Sequence, residues 1–264
     1  MVKNSKKILK LKKKIREIRF SFLKLISKGV KYHIGGSLSI LDIIVCLIYT
    51  KKIDLTKASK TRNKFILSKG HALGIFYTIL MDLNLLSEKK YFSQIKKHKF
   101  GGQLDTYNCK YVDWSTGSLG HSIGVAIGMA IANPNKKIIT IVGDAEIDEG
   151  SVWEGLFFIS EKKIKNVHIV IDRNRLSASS FIEKKEVLDK KLLDQLDFNI
   201  FRGNGHNLND ILKYLKIIDK SKSSLAIFNT IKGNGIPEFE NSLKYSHGQP
   251  DKKLITQVLK NLKN

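Results

Sequence analysis

Four carboxylates fall within six residues of the chain, directly after an apolar run. Asp144, Glu146, Asp148 and Glu149 follow residues 138–142, which read as a fully buried strand. Negative charges at this density repel one another, and a bound cation relieves the repulsion. Hard divalent cations such as Mg²⁺ and Ca²⁺ take oxygen ligands of this type. The segment is therefore a candidate cation site.

The spacing of these residues excludes one calcium motif and leaves two interpretations open. An EF-hand loop needs Gly at position 6 and Glu at position 12. Counting Asp144 as position 1, the chain has Glu149 and Gly155 there, so an EF-hand is excluded. A magnesium site remains. An equally good interpretation is a solvated acidic turn before a helix starting near Ser151, where each carboxylate stabilises the helix dipole by ~0.3–1 kcal/mol.

The composition predicts a soluble protein of a reducing compartment. The chain has 264 residues, of which 42% are hydrophobic, enough to bury a large core. Cys46 and Cys109 lie far apart without paired spacing, which argues against a disulfide framework or a CxxC zinc site. The longest apolar run, residues 43–49, is too short to span a bilayer. We expect a cytoplasmic protein without membrane contact.

The net charge of +23 raises the question of nucleic-acid binding. Only six of the 47 basic residues are Arg, the residue best suited to bidentate recognition of phosphates and bases. The lysines are spread along the chain rather than gathered in one segment. We therefore expect solvated lysine faces and no nucleic-acid partner.

Strand and helix patterns alternate along the chain. Short apolar runs predict buried strands at 63–67, 138–142, 167–171 and 225–231, and helical patterns lie at 73–85, 118–132, 152–162 and 208–218. This alternation is typical of an α/β fold with a doubly wound parallel sheet and helices on both faces. Since no linker or internal repeat is visible, we expect a single domain over residues 1–264.

Two further helices are predicted near the N-terminus. Apolar residues recur every three or four positions from Ile8 to Leu25, with Lys on the opposite face, which predicts an amphipathic helix over residues 5–28. We expect it to dock onto the domain, the alternative being a membrane surface. Residues 39–49 are apolar nearly all round and predict a buried helix.

Ligands of such sheets bind beyond the carboxyl ends of the strands. The loops found there read SKGH, GDAEIDEG, DRNRL and KGNG, and they carry His71, Asp144, Asn174 and Lys232. Oxygen ligands from Asp144 and Asn174 suit Mg²⁺, while a lysine, a histidine and helix N-termini suit a diphosphate. Neither a GxxxxGK[ST] loop nor a complete GxGxxG fingerprint is present.

Taken together, these motifs resemble the thiamin-diphosphate signature of transketolases. Asp144 of GDAEIDEGSVWEG and Asn174 of DRNRL stand thirty positions apart, and YHIGGSLSILDI, FILSKGHA, STGSLGHSIGVAIGMA and TIKGNGIPEFE follow in family order. The resemblance covers about Lys31 to Gln249. It implies the N-terminal, diphosphate-binding subunit of a split transketolase, a transferase of carbohydrate metabolism that uses thiamin diphosphate and Mg²⁺.

The resemblance implies a role for each matching residue. The implied Mg²⁺ ligands are Asp144, Asn174 and the carbonyl oxygen of Leu176. The implied cofactor contacts are His71, Gly117, Ser118, Leu119, Asp144, Ala145, Glu149, Asn174, Lys232 and His247. The implied catalytic residues, facing the thiazolium and the sugar, are His33, His247 and Gln103. Glu149 and Glu154 also match carboxylates of the family's subunit interface. The remaining histidines match no motif and are expected to be ordinary polar residues: His98, His121, His168 and His206.

The sequence departs from the family pattern at several positions. Ala145 stands where the family has the last glycine of GDG, and it fits if its φ is negative. Gln103 stands where the family has the sugar-contacting histidine of GHP, and Gln cannot act as a general base near neutral pH. Residues 178–180 replace a DG pair. Cofactor binding is still expected, while the sugar substrate stays open.

The implied reaction is transfer of a two-carbon ketol unit between sugar phosphates. It requires a C-terminal transketolase-like chain with the pyrimidine-binding domain, for which we expect no room between His247 and Asn264. We therefore expect a heterotetramer and no activity without the partner. Two alternatives remain: a subunit of another thiamin-diphosphate ketose-forming synthase, or a basic binding or regulatory subunit without turnover.

Overall fold

The described part of the chain contains one parallel sheet of five strands. The structure is a computed structural model that describes residues 2–177, 180–182 and 192–262, without the side chains of residues 2–4 and 247. The strands are β1 (Lys64–Leu67), β2 (Ile138–Gly143), β3 (Val167–Arg173), β4 (Asn199–Asn204) and β5 (Ser224–Asn229). Their order is β1-β2-β3-β5-β4, and all neighbours pair in parallel, so every strand ends at the same edge.

Helices precede the sheet and connect its strands. They are α1 (Val2–Ser27), α2 (Ile34–Ser39), α3 (Leu41–Tyr49), α4 (Leu73–Asp82), α5 (Glu88–Lys96), α6 (His121–Ala132), α7 (Gly150–Glu161), α8 (Leu208–Ile217), α9 (Lys244–His247) and α10 (Lys252–Asn261). Short 3-10 helices cover residues 70–72, 145–148 and 193–195. No helix in the described ranges is both long and apolar enough to cross a membrane.

Each face of the sheet carries its own apolar core, because successive strand residues point to opposite faces. Ile139 and Ile141 of β2 join the core that contains buried residues of α1, α3, α4 and α8. Ile138 and Val142 join the second core, to which α6 and α7 contribute. The predicted doubly wound α/β sheet with helices on both faces is confirmed.

The N-terminal helix α1 packs against α3, α4 and α10. Its apolar stripe includes Ile18 and Phe22, which are fully buried. Burial of one such side chain contributes ~1.5–3 kcal/mol. The lysines of α1 lie on its solvent side, where Lys12 and Lys13 are exposed.

Three described elements were not predicted from the sequence. β4 is an edge strand whose side chains are half-buried or exposed, so NIFRGN contains no continuous apolar run. α5 buries only Tyr91 and therefore has little apolar periodicity. α10 is also short and mostly polar, burying Ile255 and Val258.

Some predicted boundaries were also wrong. The helix expected from residue 118 begins at His121, because Gly120 precedes it with a φ of +79°. The helix expected to reach residue 85 ends at Asp82, just before Asn84 adopts a φ of +57°. The last predicted strand ends at Asn229 rather than at residue 231. Left-handed backbone turns of this kind interrupt a helix irrespective of the apolar pattern around them.

Candidate active site

A cavity of about 240 Å³ opens at the carboxyl edge of the sheet. Its walls come from the loops that follow β1, β2, β3 and β5, together with the start of α2 and the segment before α6. The sequence-predicted site residues that line it are His33, His71, Gln103, Leu119, Asp144, Ala145, Asn174, Leu176 and Lys232. Residues from distant parts of the chain thus meet in one cavity, as expected for a parallel sheet.

The other predicted site residues lie outside this cavity wall or outside the described atoms. Gly117 and Ser118 line a neighbouring pocket on the far side of Leu119. Glu149 precedes α7, with its side chain against the position that a Cβ at Gly120 would occupy. His247 ends α9, and its side chain lies outside the described atoms.

Asp144 and the segment beginning at Asn174 are joined by hydrogen bonds. Oδ1 of Asp144 accepts from the Ala145 N–H at 2.9 Å, and Oδ2 accepts from the Arg175 N–H at 2.6 Å. Oδ1 of Asn174 accepts from the Leu176 N–H at 3.1 Å. The strand ends therefore place a carboxylate and an amide oxygen on adjoining loops.

The oxygen atoms at these loops have the chemistry of a magnesium site. Burial, followed by the nearby Asp172 carboxylate, raises the pKa of Asp144 to about 6, so a negative charge here is costly without a cation. A group of three or more His, Cys, Asp or Glu side chains suited to a metal is absent from the described residues. Mg²⁺ needs no such group, because one carboxylate, amide and carbonyl oxygens, waters and a phosphate suffice. The oxygens of Asp144, Asn174 and Leu176 fit this pattern.

Ala145 tests the expectation about the missing glycine. It lies in the 3-10 helix that follows β2, and it is not among the described residues with positive φ. The expected negative φ is confirmed, so the extra methyl group causes no backbone strain here.

Two lysines face the cavity from different loops. Nζ of Lys232 donates to the carbonyl oxygens of Leu176 at 3.2 Å and Ser177 at 2.8 Å. Burial and the neighbouring Lys69 ammonium lower the pKa of Lys232 to about 8. Since Lys232 is still mostly protonated at pH 7, the cavity offers positive charge to an anion.

His71 and His33 lie side by side at the mouth of α2. Their ring centroids are 5.5 Å apart at an interplanar angle of 78°. Burial, with the positive charge of Lys69 as the next contribution, lowers the pKa of His71 to about 3, so its ring is neutral at pH 7. Nδ1 of His33 lies 3.1 Å from the carbonyl oxygen of Ser246, which can only accept, so this nitrogen carries the proton. Nε2 of a neutral His33 is then available as a base.

Gln103 brings an unsatisfied oxygen to the cavity wall. Its Oε1 is buried without a hydrogen-bond partner among the described residues, and the same holds for Oγ1 of Thr116. A Cβ at Gly70 would come within 2.3 Å of this Oε1 and 2.0 Å of Thr116 Oγ1, so only glycine fits there. Buried polar atoms of this kind are usually satisfied by water or a ligand.

Sequence reasoning missed three buried charged residues that line or support the cavity. Lys69 forms a buried ion pair with Asp172, the residue at the end of β3. Glu146 accepts hydrogen bonds from the Ser68 hydroxyl and from the backbone N–H groups of Gly120 and Gly143. All three belong to the strand-end loops already singled out, and that position was the signal that could have found them.

His206 was expected to be an ordinary polar residue, but it supports the loop that carries Lys232. Its Nε2 accepts from the Ile231 N–H at 2.8 Å, and its Nδ1 therefore donates to Asp42 at 2.7 Å. The lysine that faces the cavity is thus held in place from outside the cavity wall.

The crowded carboxylates after β2 differ in their surroundings. Asp144 and Glu146 are buried and accept hydrogen bonds from several donors, whereas Asp148 is exposed. Only the first of the four lines the cavity beside Asn174 as a candidate cation ligand.

Residues 11–262 match the family model described as "Transketolase, thiamine diphosphate binding domain". The chain belongs to this family. Its members' domain accounts for the parallel sheet and for the strand-end loops that meet at the cavity.

Similar proteins extend this result. The chain is 29% identical over 245 residues to one of the named subunits of apulose-4-phosphate transketolase from Phocaeicola vulgatus, covering 88% of this chain and 86% of that protein. It is 32% identical over 197 residues to transketolase-like protein 2 of Mus musculus, covering 71% of this chain but 31% of that protein. The chain therefore spans most of the apulose-4-phosphate transketolase relative and about a third of the longer one.

A solved structure of transketolase from Campylobacter jejuni has the same fold. The TM-score is 0.81 at 24% identity, and the match covers 96% of this chain and 42% of that chain. At this identity the likeness concerns the fold alone.

Proposed function

We propose that this chain binds thiamin diphosphate with Mg²⁺ and, together with a partner chain, transfers a two-carbon ketol unit between sugar phosphates. The observation that carries the proposal is the meeting of Asp144 and Asn174 beside Lys232 in a cavity of a thiamin-diphosphate-binding family member. The bound cofactor supplies the carbanion chemistry at its thiazolium ring.

The residues of this chain divide the remaining work. Oxygens of Asp144, Asn174 and Leu176 bind the cation, and the ammonium groups of Lys232 and Lys69 offset the charge of the diphosphate. The neutral imidazole of His71 contributes hydrogen bonds there without adding charge. Each of these groups is held by strand ends or buried contacts, so the site is formed before the cofactor arrives.

Proton transfer and sugar binding fall to the groups on the open side of the cavity. Nε2 of His33 is free to accept a proton from a substrate hydroxyl, because its Nδ1 is fixed by Ser246. We assign sugar contacts to Gln103 and to His247. Gly117, Ser118 and Leu119 lie beside the cavity, where we propose that they support the aminopyrimidine ring.

A partner chain is supported by the exposed face of α6 and α7. Ile131, Phe157 and Phe158 on these helices are 63%, 49% and 42% exposed. Gly124 and Gly128 leave the backbone of α6 open, so a neighbouring helix can approach closely. An apolar face of this kind is typical of a protein interface.

We propose that a C-terminal transketolase-like chain covers this face. Glu154 is exposed on α7 and Glu149 precedes it, in keeping with an interface position. The similar apulose-4-phosphate transketolase protein is named as one subunit of its enzyme, and longer transketolases are only partly covered by this chain; both facts support a two-chain enzyme. We further propose a heterotetramer in the cytoplasm, with interfaces above roughly 2,000 Å².

Reconstitution tests the proposal. The chain is purified alone, then mixed with the product of a neighbouring reading frame that carries a pyrimidine-binding pattern. We expect ketol transfer between sugar phosphates only from the mixture with thiamin diphosphate and Mg²⁺. Full turnover by this chain alone would contradict the need for a partner. Failure of every thiamin-diphosphate reaction in the mixture would favour a binding or regulatory role.

A further inference from the structure

Asp172, at the end of β3, is the centre of a buried polar cluster beneath the cavity. Its carboxylate accepts from Ser39 Oγ at 2.7 Å and from Asn174 Nδ2 at 2.9 Å, and also from the Thr230 hydroxyl and the Lys69 ammonium. Lys69 donates in turn to Ser39 Oγ at 3.2 Å. These donors come from α2 and from the loops after β1, β3 and β5. One carboxylate thus joins four segments of the site.

The same carboxylate decides which way the Asn174 side chain faces. An ionised carboxylate can only accept, so the amide nitrogen of Asn174 must point toward Asp172. On the other side stands the Leu176 N–H, which can only donate and lies 3.1 Å from the amide oxygen. Both neighbours require the same orientation. The amide oxygen is therefore directed away from Asp172, toward the loop whose Arg175 N–H binds Asp144.

Lys69 keeps Asp172 in the ionised state that fixes this orientation. Burial alone would raise the pKa of Asp172, but the Lys69 charge and the hydrogen bonds from Lys69, Thr230 and Ser39 hold it below its usual value. The ion pair is nearly inaccessible, with side chains 4% and 0% exposed. Its position under the cavity separates it from ordinary surface pairs, which contribute little.

We propose that Asp172, held by Lys69, is a positioning residue that fixes the Asn174 amide with its oxygen toward the bound cation. The inference rests on the proposed function, because it needs a cation at Asp144 and Asn174. Neighbours of metal ligands that fix ligand orientation typically change metal affinity 10–100-fold when replaced.

A second buried ion pair provides a matched control away from the cavity. Arg62 and Asp113 are 2% and 1% exposed. Asp113 also accepts from Ser59 Oγ at 2.8 Å and the Phe65 N–H at 2.9 Å. None of these four residues lines the cavity. Breaking this pair should therefore affect stability without changing cation affinity.

The main experiment compares two double variants that both lose the ion pair. Lys69→Met with Asp172→Asn keeps an oxygen that can accept from the Asn174 amide nitrogen, whereas Lys69→Met with Asp172→Leu does not. Replacing a buried ion pair by uncharged residues is often tolerated. We measure the Mg²⁺ concentration that half-saturates thiamin-diphosphate binding by calorimetry, with the full chain. The Leu variant should need ~10–100-fold more Mg²⁺ than the Asn variant.

An isosteric exchange covers the case in which the Leu variant does not fold. Asn174→Asp alone sets two carboxylates against each other, and like charges at this distance oppose ionisation. Adding Asp172→Asn supplies an amide donor in place of one charge. We expect Asn174→Asp to weaken Mg²⁺ binding at least tenfold and the added Asp172→Asn to restore it. Equal Mg²⁺ requirements with and without Asp172→Asn would overturn the inference.

The outcomes separate this inference from the proposed function. If the wild type shows Mg²⁺-dependent binding and the Asn and Leu variants need the same Mg²⁺, the positioning role is wrong and the cofactor site stands. If thiamin diphosphate binding by the wild type is independent of Mg²⁺, the cation site and the positioning role both fail. Asp113→Asn should lower the unfolding temperature and leave the Mg²⁺ requirement unchanged; an equal rise in that requirement would reduce the effect at Asp172 to general destabilisation.

Discussion

The two faces of the sheet are covered to different depths. On one face, α1 lies over α3 and α4 and completes a core in which Ile18, Phe22 and Leu23 are fully buried. On the other, α6 and α7 form the outermost layer of the described residues, and Phe157 and Phe158 remain exposed. The first face ends in lysine side chains and the second ends in aromatic ones.

This difference separates stability from assembly. A face whose apolar side chains are all buried needs nothing further, and its substitutions should act on the folding of this chain. A face that ends in exposed aromatic side chains gains free energy when another protein covers it. The cavity lies at the edge between the two, so its residues are held by the first face and completed at the second.

The largest expected effect comes from the covered face. Phe22→Ala should lower the free energy of unfolding by ~3–5 kcal/mol, because it removes a fully buried ring. Phe157→Ala, the matched change on the open face, should cost less than ~0.5 kcal/mol in the isolated chain. Denaturant unfolding of the two variants measures this. Equal losses would mean that the two faces do not differ in the isolated chain.

The open face should dominate assembly. Phe157→Glu with Phe158→Glu should weaken association with the partner chain by ~2 kcal/mol or more, since exposed aromatics are typical interface anchors. The control is Leu9→Glu on α1, because Leu9 is 64% exposed on the other face. Sedimentation of mixtures checks the prediction. A loss of assembly with Leu9→Glu alone would place the interface on α1.

A buried histidine gives the covered face a pH dependence. Burial, with Lys137 as the next contribution, lowers the pKa of His168 to about 3, whereas the unfolded chain has an ordinary histidine near 6.5. The unfolded state therefore binds more protons between these values. The contribution of neutral His168 is complete above pH 6.5 and is lost progressively as the pH falls toward 3.

His168→Asn removes this titration. The variant should lack up to about 1.4 kcal/mol per pH unit of the acid destabilisation below pH 6.5. Unfolding free energies at pH 7 and pH 5 measure the slope. Parallel slopes for the variant and the wild type would show that other groups cause the acid sensitivity.

The smallest effect is expected at Gln103, where both faces meet the cavity. Gln103→His restores a titratable nitrogen, so we expect the order of preferred sugar phosphates to change by about tenfold in kcat/KM, or ~1.4 kcal/mol. Thiamin diphosphate affinity should stay constant. Rates with a panel of ketose and aldose phosphates decide this, and an unchanged order would make Gln103 neutral for specificity.

The sequence predicts those parts of the fold that depend on local pattern. β2 and β3 are continuous apolar runs buried on both faces, and such runs identify themselves. β4 pairs only at the sheet edge, so its alternation is weak and it was missed. Gly120 ends its loop in a left-handed conformation, which the surrounding GSLGHSIG pattern does not reveal.

The site follows the same division. Asp144 and Asn174 could be predicted because a parallel sheet brings all its strand ends together. The partnership of Lys69 with Asp172 could not, because it depends on side-chain direction across two loops. Likewise, no local pattern indicates that His206 reaches the backbone before Lys232. Spacing gives the candidates, and tertiary contacts decide which of them hold one another.

Calorimetry on the isolated chain tests the central claim most directly. The wild type should bind thiamin diphosphate in a Mg²⁺-dependent manner, weakly because the partner chain is absent. Asp144→Ala removes the carboxylate that accepts from Ala145 and Arg175, and we expect it to abolish the Mg²⁺-dependent heat while circular dichroism shows an intact fold. Undiminished Mg²⁺-dependent binding by the Asp144→Ala chain would contradict the assignment of this cavity as the cofactor site.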